Sequence, residues 1–303
     1  RINQKEELLI LLNRIRESAD SHNIPYDGAV MAVDDYKIAD SMGRTDKFFR
    51  HSMAYKYEDE LFETVLTDIE WNTSKTGLIN PVAIFEPVDL NGAITTRATL
   101  HNITYIKDMM LGIGDRIRVY RSNMVIPKVH DSIDKSGNFK IPNKCPICGQ
   151  PTKIVKENDS EVLMCENPDC KGKLLGKLVH ATSRNALDIE NLSESTIEKF
   201  INLGWLTSIK DIYYLKCHEN EMKTLEGFGK KSVEKLLSSI EKSRNTTLDR
   251  FIYSLSIPMI GKTVSKLIAE KVNYSIREFI TIMGIKGAVY FSSLDGISDK
   301  KIS

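Results

Sequence analysis

Cys145-Pro-Ile-Cys148 and Cys165-Glu-Asn-Pro-Asp-Cys170 are the residues whose type and spacing most plainly do chemistry. Two close pairs with sixteen residues between them suit tetrahedral zinc. Each pair sits on a tight turn, and the intervening hairpin brings four thiolates round one ion. Pro146 and Gly149 beside the first pair, and Pro168 inside the second, favour such turns. The competing reading is two disulfides or free core thiols. The pairing is regular and nothing else looks secreted, which favours zinc. A four-thiolate shell keeps no open position for water, so the zinc it implies is structural.

A second set of residues points to phosphate. Leu225-Glu226-Gly227-Phe228-Gly229-Lys230-Lys231 reads apolar-x-Gly-apolar-Gly and then opens a helix. Ile257-Pro258-Met259-Ile260-Gly261-Lys262 and Leu294-Asp295-Gly296-Ile297-Ser298 repeat that logic, and Ile189-Glu190-Asn191-Leu192-Ser193 is a weaker copy. This is the helix-hairpin-helix pattern, in which a sharp turn exposes N–H groups at a helix N-terminus that accept a phosphate without reading the base. One Gly-x-Gly before a helix is no more than a helix-start loop. Four spaced copies read as a module for the phosphate backbone. The copies differ: Asn191 and Ser193 replace both glycines of the first, Ser256 stands where the first glycine of the third is expected, and Ser298 replaces the second of the fourth. Gly227, Gly229, Lys230 and Lys231 are best placed for direct contact, followed by Gly261, Lys262 and Gly296. Basic residues modestly outnumber acidic ones between Lys223 and Lys271, enough for a salt-sensitive footprint. Each lysine taken singly reads equally as part of a solvated face.

These residues need elements to hold them. Residues 5–22 predict an amphipathic helix with Leu8, Leu9, Leu11, Leu12 and Ile15 on its apolar side. Tyr26-Asp27-Gly28 and the run Ala29 to Val33 predict a turn feeding a buried strand, with Tyr55-Lys56-Tyr57 as a second strand of that unit. Residues 61–135 look all-β, with runs at 64–66, 81–85 and 116–120 punctuated by glycines, which predicts a small barrel. The expected divisions are 1–58, a barrel over 59–138, the zinc module over 139–176 and helices over 177–303. A chain of 303 residues, 41% hydrophobic and 27% charged, is ordinary for a globular protein of two to four domains. No apolar run of ~18 residues occurs, and Arg1-Ile2-Asn3-Gln4 does not open a signal peptide, so a cytoplasmic protein without membrane contact is expected. Net charge of +1 neither demands nor excludes nucleic acid. Cys217, the fifth cysteine, reads as a buried or inert thiol.

A small barrel, a four-cysteine zinc and a hairpin array in that order closely resemble the NAD-dependent DNA ligases of bacteria, from about residue 20 to residue 303. Tyr26-Asp27-Gly28-Ala29-Val30 resembles that family's Asp-Gly nucleotidyltransferase strand, and Ala54-Tyr55-Lys56-Tyr57 its closing lysine motif. Asp68-Ile69-Glu70-Trp71, Thr76 to Ala83, Glu86-Pro87-Val88, Arg97 to Asn102 and Ile126-Pro127-Lys128-Val129 are similar to its oligonucleotide-binding barrel. The resemblance implies a multidomain α+β chain. It would comprise the end of an adenylation domain (1–58), an OB-fold barrel (59–138), a four-Cys zinc finger (139–176) and a helix-hairpin-helix DNA-binding domain cut short at its end (177–303). It implies sealing of nicks in double-stranded DNA, as a monomer, in replication and repair, in the cytoplasm at the bacterial nucleoid. The implied cofactors are NAD, structural Zn²⁺ and Mg²⁺ or Mn²⁺. A lysine attacks NAD and keeps AMP, AMP passes to the 5′-phosphate of the nick, and the 3′-hydroxyl displaces it. Lys56 would stabilise the AMP phosphate, Asp27 would be a carboxylate near the adenylate or its metal, and Gly28 would allow close backbone approach. Without the wider match, Asp27-Gly28 reads as an ordinary turn and Lys56 as a surface lysine.

The chain departs from that pattern. The nucleophilic lysine of the family lies in Lys-x-Asp-Gly, a string that does not occur in these 303 residues, so the nucleophile and the N-terminal region that grips nicotinamide are expected outside them. The lysine expected at the end of the Asp-Gly strand is Ala32. Loss of a cation beside a buried phosphoryl group costs about 10² to 10³ in rate. Lys75 stands where arginine is usual before Thr-Gly, and Ser122-Asn123-Met124 replaces Ala-Gly-Asp. A catalytically degenerate relative that only binds nicked DNA is therefore the alternative, and a repair nuclease subunit is a third reading, which the barrel string Arg97 to Asn102 opposes.

Overall fold

Alternation of side chains along two long strands builds the first recognisable part of the molecule. The computed structural model describes residues 5–24, 26–45, 47–122, 125–157, 159–291 and 294. Arg1 to Gln4, Asn123, Met124 and the fourth glycine copy from Asp295 onward, with Gly296 and Ser298, lie outside the described residues. In chain order the first elements are α1 (Lys5–Ser21), β1 (Ala29–Ala32), α2 (Tyr36–Ser41) and β2 (Ser52–Tyr55). Then come β3 (Phe62–Thr73), β4 (Leu78–Asp89), β5 (Ile94–Thr99), α3 (Ile103–Asp108), β6 (Arg116–Ser122) and β7 (Ile126–Ser132). A hairpin of β8 (Thr152–Glu157) and β9 (Ser160–Cys165) precedes the helices α4 (Lys171–Thr182) and α5 (Glu194–Asn202) and a 3₁₀ segment over Ile209–His218. The chain continues through α6 (Glu219–Met222), α7 (Lys230–Lys242), α8 (Leu248–Ser254), α9 (Lys262–Lys271) and α10 (Ile276–Ile285) to a last 3₁₀ turn, Ala288–Phe291.

Two compact units result, one of residues 1–69, 83–100 and 109–139, the other of 70–82, 101–108 and 140–303. In the first, β1 and β2 form a two-stranded antiparallel ribbon with Ala29 opposite Tyr55 and Ala32 opposite Ser52. The barrel strands run in the order β3-β6-β7-β5-β4, and β4 pairs back with β3, which closes five strands into the expected small barrel. Their inward residues, among them Leu66, Ala83, Phe85, Ile117, Val119 and Val129, are buried. Asp115, also buried, accepts hydrogen bonds from the Ser132 hydroxyl (2.8 Å) and the Ser136 N–H (3.1 Å), so a charged side chain is retained there by donors.

Three expectations fail in this unit. On α1 only Leu12 is buried, while Leu9 and Ile15 are exposed, because among the described residues this helix meets little apolar surface. It is tied to the second strand's end by Tyr57, whose Oη donates to the Leu12 carbonyl at 2.7 Å and whose ring lies under Arg16. The strand after Asp27-Gly28 is not buried either: Val30 is 74% exposed, since a two-stranded ribbon has no second layer to cover it. The second strand also ends at Tyr55, which leaves Lys56 and Tyr57 just past it.

The second unit is organised by helices. Leu178, Ile197, Phe200, Leu215, Val233 and Leu236 belong to one buried cluster from α4 to α7, and Leu248, Ile252, Val264 and Ile268 to another of α8 and α9. Helix α4 runs unbroken across residues 176 and 177. Cys217 is exposed rather than buried.

Candidate metal centre, nucleotide cleft and helix N-termini

The four cysteines meet. Their sulfurs all lie within 4.8 Å of one another, with Cys145–Cys170 at 3.9 Å and Cys148–Cys165 at 3.6 Å, and none forms a disulfide. A tetrahedron with Zn–S bonds of about 2.3 Å has S···S edges of about 3.8 Å, so the donor set fits zinc. Local sequence explains the geometry. Gly149, at φ +70°, closes the first knuckle by donating to the Cys145 carbonyl at 2.9 Å. The β8–β9 ladder sets Cys165 opposite Thr152, and Cys170 is the N-cap of α4. Backbone N–H groups of Ile147 and Cys148 point at Cys145, and those of Gly172 and Lys173 at Cys170. Without an ion, burial pushes the Cys165 thiol up to about 12. Burial acts on Cys145 too, but Thr73 (Oγ1 3.4 Å away) and the N–H donors outweigh it and bring that thiol down to about 6. A bound dication would hold all four as thiolates.

The centre is fixed to the outer ends of β3 and β4. Leu78 pairs with Met164, and Cys165 N–H donates to the Gly77 carbonyl at 2.8 Å. A Cβ on Gly77, whose φ is +90°, would sit 2.7 Å from the Cys165 carbonyl oxygen, and one on Gly176 2.7 Å from the Lys75 nitrogen. Only glycine permits these approaches.

Asp27, Lys56 and Tyr57 line one cleft of about 760 Å³ in the first unit, together with Arg16 and Arg121. Tyr26 and Tyr55 pack edge-on against Tyr57, and Arg16 lies over the Tyr57 ring. Gly28 is where the ribbon is tightest, since a Cβ there would lie 2.6 Å from the Tyr55 carbonyl oxygen. The cleft brings Asp27 and Lys56 together but not Ala32, which is exposed at the far end of β1 opposite Ser52. Arg16 and Arg121 carried no sequence signal of this role. The Arg121 Nε is buried without a hydrogen-bond partner among the described residues, a donor a bound anion could satisfy. Yet Asp20, Asp27, Glu58, Asp59 and Glu60 also line the cleft, so carboxylates outnumber its cations.

Three helix starts share one backbone conformation. Asn191, Gly227 and Met259 have φ of +63°, +84° and +63°, and each lies two residues before an extended N-cap: Ser193, Gly229 and Gly261. Met259, not Ser256, thus occupies the first-glycine place of the third copy; Ser256 also has positive φ but belongs to the end of α8. The N-caps differ in one respect. Ser193 accepts the Thr196 N–H at 3.3 Å, whereas Gly229 and Gly261 supply no side-chain cap. The first N–H groups of α7 and α9 therefore point outward beside exposed Lys230, Lys231 and Lys262. A Cβ on Gly227, Gly229 or Gly261 would meet nothing within 4 Å.

The NAD-dependent DNA ligase OB-fold domain family matches residues 63–139. A DNA ligase of Lachnoclostridium phytofermentans is 42% identical over 90% of this chain, one of Ruminiclostridium cellulolyticum 41% over 94%, and one of Fusobacterium nucleatum 38% over 83%. The chain spans less than half the length of these curated relatives, 43%, 45% and 37% respectively. Residues 63–139 thus carry the OB-fold domain of NAD-dependent DNA ligases, and along most of its own length the chain is similar to bacterial proteins named DNA ligase.

Proposed function

We propose that this chain is the DNA-holding and zinc-bearing part of an NAD-dependent DNA ligase. The whole protein would seal 5′-phosphate/3′-hydroxyl nicks in duplex DNA as a monomer, using NAD and Mg²⁺ or Mn²⁺, in replication and repair at the bacterial nucleoid. The observation that carries the reading is the turn repeated before α5, α7 and α9. We read these turns as helix-hairpin-helix motifs in which α7 and α9 hold phosphates through uncapped N–H groups, while α5 caps itself and serves as support. Such contacts read no bases, so affinity should fall steeply with salt. Zinc would tie the outer barrel strands to α4 and supplies no reacting position.

The residues present do not complete the adenylylation chemistry. Lys-x-Asp-Gly does not occur, Ala32 replaces a cation, and the Asp27–Lys56 cleft is lined by more carboxylates than cations. Among the described residues, only the four cysteines form a group able to hold a metal ion, so no Mg²⁺ step is assigned to this chain. The second reading, a degenerate ligase relative that binds nicks without sealing them, is favoured by Ala32. Intact mass of the native protein carrying this sequence, after incubation with NAD and Mg²⁺, separates the two. An AMP adduct supports the ligase. No adduct, with nicked-DNA affinity retained, leaves the binding module.

A further inference from the structure

A basic groove beside the zinc centre is unused by anything above. It has a volume of about 690 Å³ and is lined by Lys173 and Lys177, one turn apart on α4, and by Lys210 at the start of the first 3₁₀ segment. Asp169 is its one carboxylate, and α4 itself carries none. None of the three lysines is ion-paired among the described residues, whereas Lys153, Lys223 and Lys266 pair with Glu166, Glu219 and Glu270. Three lysines lining one groove with a single carboxylate leave it a net positive charge that no ion pair among the described residues offsets. Leu174, Leu178 and Leu255 give the groove an apolar floor. Leu255 caps the end of α8, and the six residues that follow it lead to the uncapped N-terminus of α9. The groove is thus continuous in sequence with one of the two proposed phosphate holders.

We propose that this groove is a second phosphate track, which takes the sugar-phosphate backbone of duplex DNA beside the third hairpin. Its lysines meet phosphates and its leucines the sugar faces. The inference rests on the DNA-holding function above, and extends it from helix ends to the zinc-bearing helix. Lysine ammonium groups act as point charges, so the contact is sequence-independent and exchanges with counterions.

The test is equilibrium binding of the 303-residue chain to a fluorescent nicked duplex across a range of salt, for wild type and for K173Q/K177Q/K210Q. Each phosphate contact contributes about 0.9 to the slope of log affinity against log salt, so the variant's slope should be shallower by about 2 to 3, with at least a tenfold loss of affinity at low salt. Arginine at the same three positions should restore the slope. Lys173 lies close to Gly77, so zinc content is checked. K177Q and K210Q, both at exposed positions, provide the same readout singly at about one slope unit each. An unchanged slope in a zinc-loaded variant overturns the track while leaving the hairpins intact. If that variant instead loses capture by polyglutamate, the groove serves an acidic protein segment and the proposal is equally overturned. Wild type that binds no duplex at any salt overturns both this inference and the function it rests on.

Discussion

The first sixty residues and the helices from α4 to α9 treat their apolar side chains in opposite ways. In the former only Leu12 and Ala39 are buried among the described residues, while Val30, Tyr36 and Phe48 are 74%, 82% and 73% exposed. In the latter, Leu178, Ile197, Phe200, Leu215 and Val233 are all fully buried in one cluster. The contrast shows where geometry is a property of this chain. The turns before α7 and α9 are held by helices with their own cores. Asp27 and Lys56 are held by a two-stranded ladder and a group of tyrosines, and a lone ribbon is marginal in water. Catalytic geometry must be kept within about 0.5 Å, which the helical region can do and the ribbon by itself cannot.

The largest way to break that contrast is to remove the metal. Structural zinc in small domains is worth about 10–16 kcal/mol, so chelation should abolish amide protection across β8 and β9 while leaving the β1–β2 ribbon as it was. Exchange measured residue by residue checks this, and unchanged protection in Thr152 to Cys165 would mean that zinc does not organise the hairpin. Next in size, Phe200→Ala should cost about 3–5 kcal/mol in denaturant unfolding, against no more than about 0.5 kcal/mol for Val30→Ala. Equal costs would erase the distinction between the two regions.

The glycines sharpen the comparison within the helical region. Of the two glycines before α7, only Gly227 has positive φ; Gly229, at φ −104°, has a backbone any residue adopts. Gly227→Ala should therefore cost about 1–2 kcal/mol of stability. Gly229→Ala and Gly261→Ala should be near neutral in stability yet weaken DNA binding, because the added methyl enters the space a phosphate needs. Wild-type affinity in both would remove α7 and α9 as phosphate holders. The smallest effect is one of pH. His180 is held below its ordinary 6.5 by burial and by the Lys75 charge, with Ser256 Oγ 2.9 Å from its Nδ1. The unfolded chain protonates this ring first, so its contribution is full above about 6.5 and is lost as pH falls below it. Thermal unfolding at stepped pH should show this slope, and His180→Asn should flatten it.

Much of this was legible in the sequence because it depends on local spacing. The cysteine pairs, the individual strand runs of the barrel and the glycine turns are short-range patterns set by a few adjacent residues. Met259 was missed because its side chain hides a left-handed backbone that glycine would have announced; spacing from Gly261, rather than residue type, reveals it. Burial on α1 and β1 was misjudged because periodicity tells which side is apolar, not whether another layer lies against it. Arg16 and Arg121 reached the cleft from a helix and a barrel strand far apart in sequence, and the Lys173, Lys177 and Lys210 groove is likewise formed only by tertiary packing.

The most direct test of the central claim is the affinity of the purified 303-residue chain for nicked duplexes of two unrelated sequences, measured as salt is raised. The account predicts equal affinities for the two sequences and a linear loss of log affinity with log salt, made weaker throughout by Gly229→Ala. Absence of binding at low salt, or binding that ignores salt and depends on sequence, would contradict it.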